Sequence, residues 1–122
     1  MTSTITYFPQ VIEQGEAGNW YYRKWSNGVM EAWKYNWSST GTFTAWGSLY
    51  YRDVAPPSFN SGMFVSTPIV IVTPNGSQAG VFGVYGTDAT SAGTIRFIHN
   101  NTSSALCSAN IYAYGYWREP TA

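Results

Sequence analysis

Within eight residues, Trp46, Tyr50, Tyr51, Arg52 and Asp53 set an indole, two phenols, a guanidinium and a carboxylate close together. Such a mixture suits a sugar. A flat ring packs against the apolar face of a pyranose, while polar side chains around it hydrogen-bond the hydroxyls. Trp46 lies on the hydroxyl-bearing side of an alternating stretch, with Thr42, Thr44 and Ser48. His99, the only histidine, is a further candidate contact; its competing use is as a strand-end residue that is bonded locally or exposed. For every ring the competing use is packing, in the core or at a subunit interface, where Tyr, Trp and Arg are enriched. With six tryptophans, ten tyrosines and six phenylalanines, most rings must go to packing.

Bond-breaking chemistry finds little to work with. A hydrolase needs an acid and a base, or a nucleophile and its activator, held close together. The acids are Glu13, Glu16, Glu31, Asp53, Asp88 and Glu119. Two fall in a polar lead-in, one lies near the C-terminal end, and Glu31 has a basic partner across a hairpin. That leaves Asp53 and Asp88, with nothing in their spacing to pair them as glycosidase carboxylates are paired. No catalytic residue is assigned. His99 and the single cysteine, Cys107, have no metal-ligand spacing, so neither metal nor cofactor is expected. One cysteine excludes an intrachain disulfide, and beside Ala105, Leu106 and Ala109 it reads as a small buried hydrophobe. Four Asn-x-Ser/Thr triplets, at Asn36, Asn75, Asn100 and Asn101, are what a chain rich in these residues produces by chance.

Charged residues make up 10% of the chain and sum to zero. A nucleic-acid surface needs clustered Lys and Arg, which are missing. The chain opens on no charged-then-apolar leader and holds no apolar run of about 18 residues. The expectation is a soluble protein without an export signal and without membrane insertion.

The elements that must position these residues are strands. Gly18 to Trp37 centres on Asn27-Gly28, a strong hairpin signal. A two-residue turn there sets Lys24 opposite Glu31 and Tyr22 opposite Trp33. A three-residue loop from Ser26 to Gly28 sets Arg23 opposite Glu31 instead, and both registers neutralise the acid. Thr42 to Tyr51 alternates as one half-buried strand, ended by Ala55-Pro56-Pro57. Thr67 to Pro74 is a β-branched run of the kind covered on both sides, by a second sheet and by a neighbouring subunit. Gly80–Gly86, Gly93–Asn100 and Ser104–Trp117 follow, separated by Gly and Asn/Ser/Thr clusters. No window has a helical period with caps. Six or seven short strands predict an all-β antiparallel sandwich over residues 19–118, after an irregular lead-in at 1–18 and before a short tail at 119–122.

The run Val11-Ile12-Glu13-Gln14-Gly15, then Asn19-Trp20-Tyr21-Tyr22-Arg23-Lys24-Trp25-Ser26-Asn27-Gly28 and Glu31-Ala32-Trp33, resembles tail proteins of bacteriophages and prophages. In these an IEQG-like lead and a WxYRKWxxGxxExW-like core open the C-terminal domain of a tail fibre. Phe64 to Val72 and Ile111 to Trp117 look like the matching strands of H-type-lectin-like tip domains. The likeness spans nearly the whole chain and departs at Ala32, where relatives often carry cysteine. It implies a homotrimeric β-sandwich at the distal end of a virion's fibre or baseplate, joined to an upstream shaft protein and binding host cell-surface saccharide. A trimer cap or assembly domain without a ligand is the other role it implies; a depolymerase lacks paired acids. The motif residues themselves serve hairpin and packing, so the likeness transfers no sugar site.

Overall fold

The computed structural model describes residues 8–100 and 105–119. They build nine strands: β1 (Val11–Ala17), β2 (Trp20–Trp25), β3 (Val29–Gly41), β4 (Thr44–Trp46), β5 (Leu49–Val54), β6 (Ile69–Pro74), β7 (Gly80–Tyr85), β8 (Thr94–His99) and β9 (Ala105–Tyr116). Two antiparallel sheets result, one ordered β1-β2-β3-β9-β6 and the other β4-β5-β8-β7. The all-β sandwich expected from strand spacing is what forms, with nine strands among the described residues where six or seven were expected. The Asn101 triplet, and the tail beyond Glu119, lie outside the described residues.

The central hairpin settles on the three-residue loop. Gly28 adopts φ 95°, while Asn27 stays out of the left-handed region. A two-residue primed turn would need positive φ at both. Instead the Gly28 N–H donates to the Trp25 carbonyl at 3.0 Å, and the Asn27 side-chain oxygen accepts from Val29 N–H at 3.1 Å. Arg23 therefore faces Glu31, and Tyr21 faces Trp33 with ring centroids 6.4 Å apart.

Two expectations are corrected. The lead-in is not irregular throughout: Val11–Ala17 pairs with β2 as an edge strand. Its polar composition hid it, because backbone pairing and surface contacts hold it rather than apolar burial. Glu13 accepts from the Tyr22 hydroxyl at 2.6 Å and lies 3.5 Å from Lys24. Second, Thr42–Tyr51 is two strands. Gly47, at φ 63°, supplies the one left-handed position for a two-residue turn, and Trp46 pairs with Leu49. The strand β6 is an edge strand paired only to β9; its inner Val70 and Val72 pack against the core, and its outward Ile69 and Ile71 are 65% and 54% exposed in this single chain. Pro74 at its end suits an edge, where a missing N–H costs no ladder bond.

Between the sheets lie Trp20, Met30, Phe43, Phe59, Phe64, Ile95, Phe97, Cys107 and Ile111, all buried. On β9 the inward positions are mostly small (Ala105, Cys107, Ala109, Ala113), which leaves room for Phe97 and Ile95 of the facing sheet. Cys107 is thus the buried hydrophobe its neighbours suggested, and burial pushes its thiol up, away from thiolate reactivity. The loop from Ala55 to Pro68 closes one end of the sandwich. Its Phe59 packs tilted against Trp20, ring centroids 4.7 Å apart, and the Trp20 indole N–H donates to the Pro57 carbonyl at 3.1 Å. At the far end of β9, the Trp117 N–H and indole N–H donate to the carbonyls of Gly28 and Trp25, both at 2.9 Å, locking the hairpin turn to the last strand.

Candidate functional site

The outer face of the four-stranded sheet gathers the polar and aromatic chemistry. Alternation along β5 turns Tyr51 and Asp53 outward and Tyr50, Arg52 and Val54 inward. Asp53 stands opposite Arg96 on β8. The guanidinium grips the carboxylate bidentately, Nε to Oδ1 at 2.8 Å and Nη2 to Oδ2 at 2.9 Å. The Tyr85 hydroxyl, from β7, donates to the same Oδ2 at 2.8 Å. Above this pair the rings converge. Arg96 lies 4.2 Å from the Tyr51 centroid and 5.0 Å from that of Trp46. Trp46 in turn meets Phe82 edge-on at 5.0 Å and Tyr51 at 5.8 Å. Trp46 comes from edge strand β4 and Phe82 from edge strand β7, so side chains from both margins meet over the middle of the sheet. The register shift between Val81 and Gly83 frees Phe82 from the ladder and leaves it 61% exposed. Trp46 and Tyr85 are 39% and 52% exposed. A shallow cleft of about 360 Å³ runs between Phe82, Val84, Tyr85 and Arg96.

The hydrogen bond from Arg96 holds the Asp53 carboxyl below its ordinary value of 3.8, with Tyr85 adding to it. The same contacts raise Arg96, and donation to Asp53 raises the Tyr85 phenol. A folded carboxyl that titrates below its unfolded value stabilises the fold above that unfolded value and loses the contribution as pH falls through the folded one. The difference in denaturant midpoint between the natural chain and Asp53→Asn is therefore expected to be constant well above the carboxyl's ordinary value of 3.8 and to shrink as pH falls below it. A difference that grows on acidification would show the carboxyl to be raised, not lowered.

Of the residues singled out in the sequence, Trp46, Tyr51 and Asp53 come together here. Tyr50, Arg52 and His99 do not. Tyr50 packs against the core. Arg52 reaches across the sandwich, donating to Ser39 Oγ at 2.8 Å and approaching Cys107 Sγ at 3.6 Å. His99 pairs with Tyr50 on the inward side, its ring 5.6 Å from buried Phe43. Adjacent positions on one strand point to opposite faces, so Tyr50–Asp53 was never able to act as a block. The residues missed were Phe82, Tyr85 and Arg96. For Arg96 the signal was present: it alternates with Ile95 and Phe97, both buried, and so had to face outward. Asp88 is occupied in its own turn, accepting from Thr90 N–H at 2.8 Å and the Thr90 hydroxyl at 2.9 Å.

The outer face of the five-stranded sheet is also aromatic. The register lines up Arg23, Glu31, Tyr114 and Ile69 in one row, and Tyr21, Trp33, Tyr112 and Ile71 in the next. Glu31 accepts from Trp25 Nε1 at 2.6 Å and from the Tyr112 hydroxyl, and sits 3.8 Å from Arg23. Burial, then the bond to Glu31, pushes the Tyr112 phenol well above its usual range.

Among the described residues no helix is long and apolar enough to cross a membrane, and no three His, Cys, Asp or Glu side chains cluster as metal ligands would. Comparison of the chain with protein-family profiles, with curated proteins and with solved structures finds no match in any of the three. What fold and site define together is a β-sandwich with one open, ring-lined and charge-balanced face and a second, more apolar one.

Proposed function

We propose that this chain is the receptor-binding tip of a bacteriophage tail fibre, holding host cell-surface saccharide on the outer face of its four-stranded sheet without breaking it. The observation that carries the reading is the meeting of Trp46, Tyr51 and Phe82 over the Asp53–Arg96 pair, rings beside exposed donors and acceptors. Support also comes from the tail-fibre resemblance of the hairpin motif. That motif now has structural work of its own: Trp20 in the core, Trp25 and Glu31 bonded to each other. Asp53 is held ionised and Asp88 is spent on its turn, so neither is poised to donate a proton. In this reading three copies assemble at the distal end of a fibre or baseplate, below an upstream shaft.

A specific observation favours a second role, a trimer cap that binds no ligand. The five-stranded face leaves Tyr21, Ile69, Ile71 and Tyr114 uncovered in one chain, an apolar expanse of the kind that marks contact between proteins. Light scattering at micromolar concentration is expected to give about three times the 13.5 kDa chain mass. A mass of one chain would remove both the trimer and the cap. Purified protein is expected to bind susceptible host cells and to be displaced by their isolated surface polysaccharide. A trimer that binds no susceptible surface would leave the cap standing alone.

A further inference from the structure

We infer that the outer face of the four-stranded sheet selects uncharged saccharide and rejects acidic sugars, with Asp53 as the residue that sets this preference. The inference rests on the saccharide-binding reading above and names the class of ligand it takes. β4, β5, β7 and β8 carry only four charged or titratable side chains apart from tyrosine: Arg52, Asp53, Arg96 and His99. Arg52 and His99 face the interior, against Ser39 and Phe43. On the outer face one cation therefore meets one acid. A bidentate fork is the geometry by which arginine captures a carboxylate or sulfate. Here that fork is already closed on Asp53 through Nε and Nη2.

An incoming anion faces a poor exchange. To reach the fork it must displace Asp53, leaving that carboxylate beside the new one, and like charges so placed repel strongly. Nor can the guanidinium swing away cheaply, since it is packed on Tyr51 at 4.2 Å and on Trp46 at 5.0 Å. A sugar hydroxyl meets no such obstacle. It donates and accepts at once, and the face offers both halves: the Arg96 Nη1 hydrogens to give, and spare lone pairs on Asp53 and on the Tyr85 oxygen to receive. Phe82 and Trp46 supply the flat apolar surface beside them. The complement is that of a neutral pyranose.

The test titrates the intact chain over a printed panel. Neutral hexose and N-acetylhexosamine oligosaccharides stand beside the same cores ending in uronic acid, sialic acid or sulfate. At least one neutral core is expected to bind, with its acidic counterpart weaker by about tenfold or more. Asp53→Asn keeps the shape of the side chain and leaves Arg96 uncompensated, so it is expected to close or reverse that ratio by about tenfold. Acidic cores bound as tightly as neutral ones by the natural chain would overturn the selectivity and leave saccharide binding intact. An unchanged ratio in a folded Asp53→Asn protein would remove Asp53 as the selector. Silence across the whole panel and on isolated host polysaccharide would sink the binding reading itself, and the inference with it. The natural chain's own ratio decides the matter even where the variant folds poorly.

Discussion

Trp46→Ala is expected to weaken binding to susceptible host cells by about 30-fold, the equivalent of about 2 kcal/mol. The indole is the hub of the ring cluster, touching Phe82 at 5.0 Å, Tyr51 at 5.8 Å and Arg96 at 5.0 Å. Removing it takes away a stacking surface and also leaves Phe82 without the neighbour that steadies it. The cost to the fold is expected to be small, about 1 kcal/mol. Trp46 ends a three-residue edge strand on the outer face and contributes nothing to the buried core. Oligomeric mass should not change. Binding measured to whole cells or isolated polysaccharide, with unfolding followed in parallel, separates the outcomes. Unaltered binding would exclude Trp46 from the contact surface. Lost assembly would reassign it to architecture.

The second large effect is on stability. Trp20→Ala is expected to cost about 3–5 kcal/mol, as large-to-small changes at buried aromatic sites do. Against a typical total of about 5–15 kcal/mol, much of the folded margin would go. Trp20 is fully buried, packs tilted against Phe59 at 4.7 Å and holds the Pro57 carbonyl through its indole N–H. It thereby fastens the closing loop from Ala55 to Pro68 onto the hairpin. Trp20→Phe splits the effect: the ring survives, but the Pro57 carbonyl loses its donor, for about 1–3 kcal/mol. Denaturant titration of both variants checks the argument. An alanine variant within about 1 kcal/mol of the natural chain would mean the loop closes without Trp20.

How much of this was legible follows from what each residue needs. Strands whose apolar residues meet a core announce themselves: β8 and β9 carry inward Ile95, Phe97, Cys107 and Ile111. β1 could not announce itself, because it buries almost nothing and is held by backbone pairing and by Glu13 bonded to Tyr22. The turn at Gly47-Ser48 lay inside a stretch that reads as one alternation, and a two-residue turn reverses the parity of that alternation, pairing Trp46 with Leu49 and Thr44 with Tyr51. Missing it put Trp46 and Tyr51 on opposite sides; the turn brings them into contact. Phe82 depends on a register shift, which only the pairing of β7 with β8 reveals. Proximity in sequence suggested Tyr50 and Arg52, and its being the only histidine suggested His99; the two-residue period of strands sent all three inward.

The placement of β9 has a temporal consequence. It lies between β3 and β6, at the heart of the larger sheet. A growing chain that has not yet reached Ala105 holds β1 to β3 and β6 with a gap where their shared neighbour belongs, β3 lacking its long partner and β6 lacking any. Closure of that sheet must await synthesis of β9, and such long-range pairing is slow. Until then the backbone edges of β3 and β6 and the inward Val70 and Val72 stand unsatisfied on a ribosome-bound nascent chain, where chaperones or sister chains emerging nearby can meet them first.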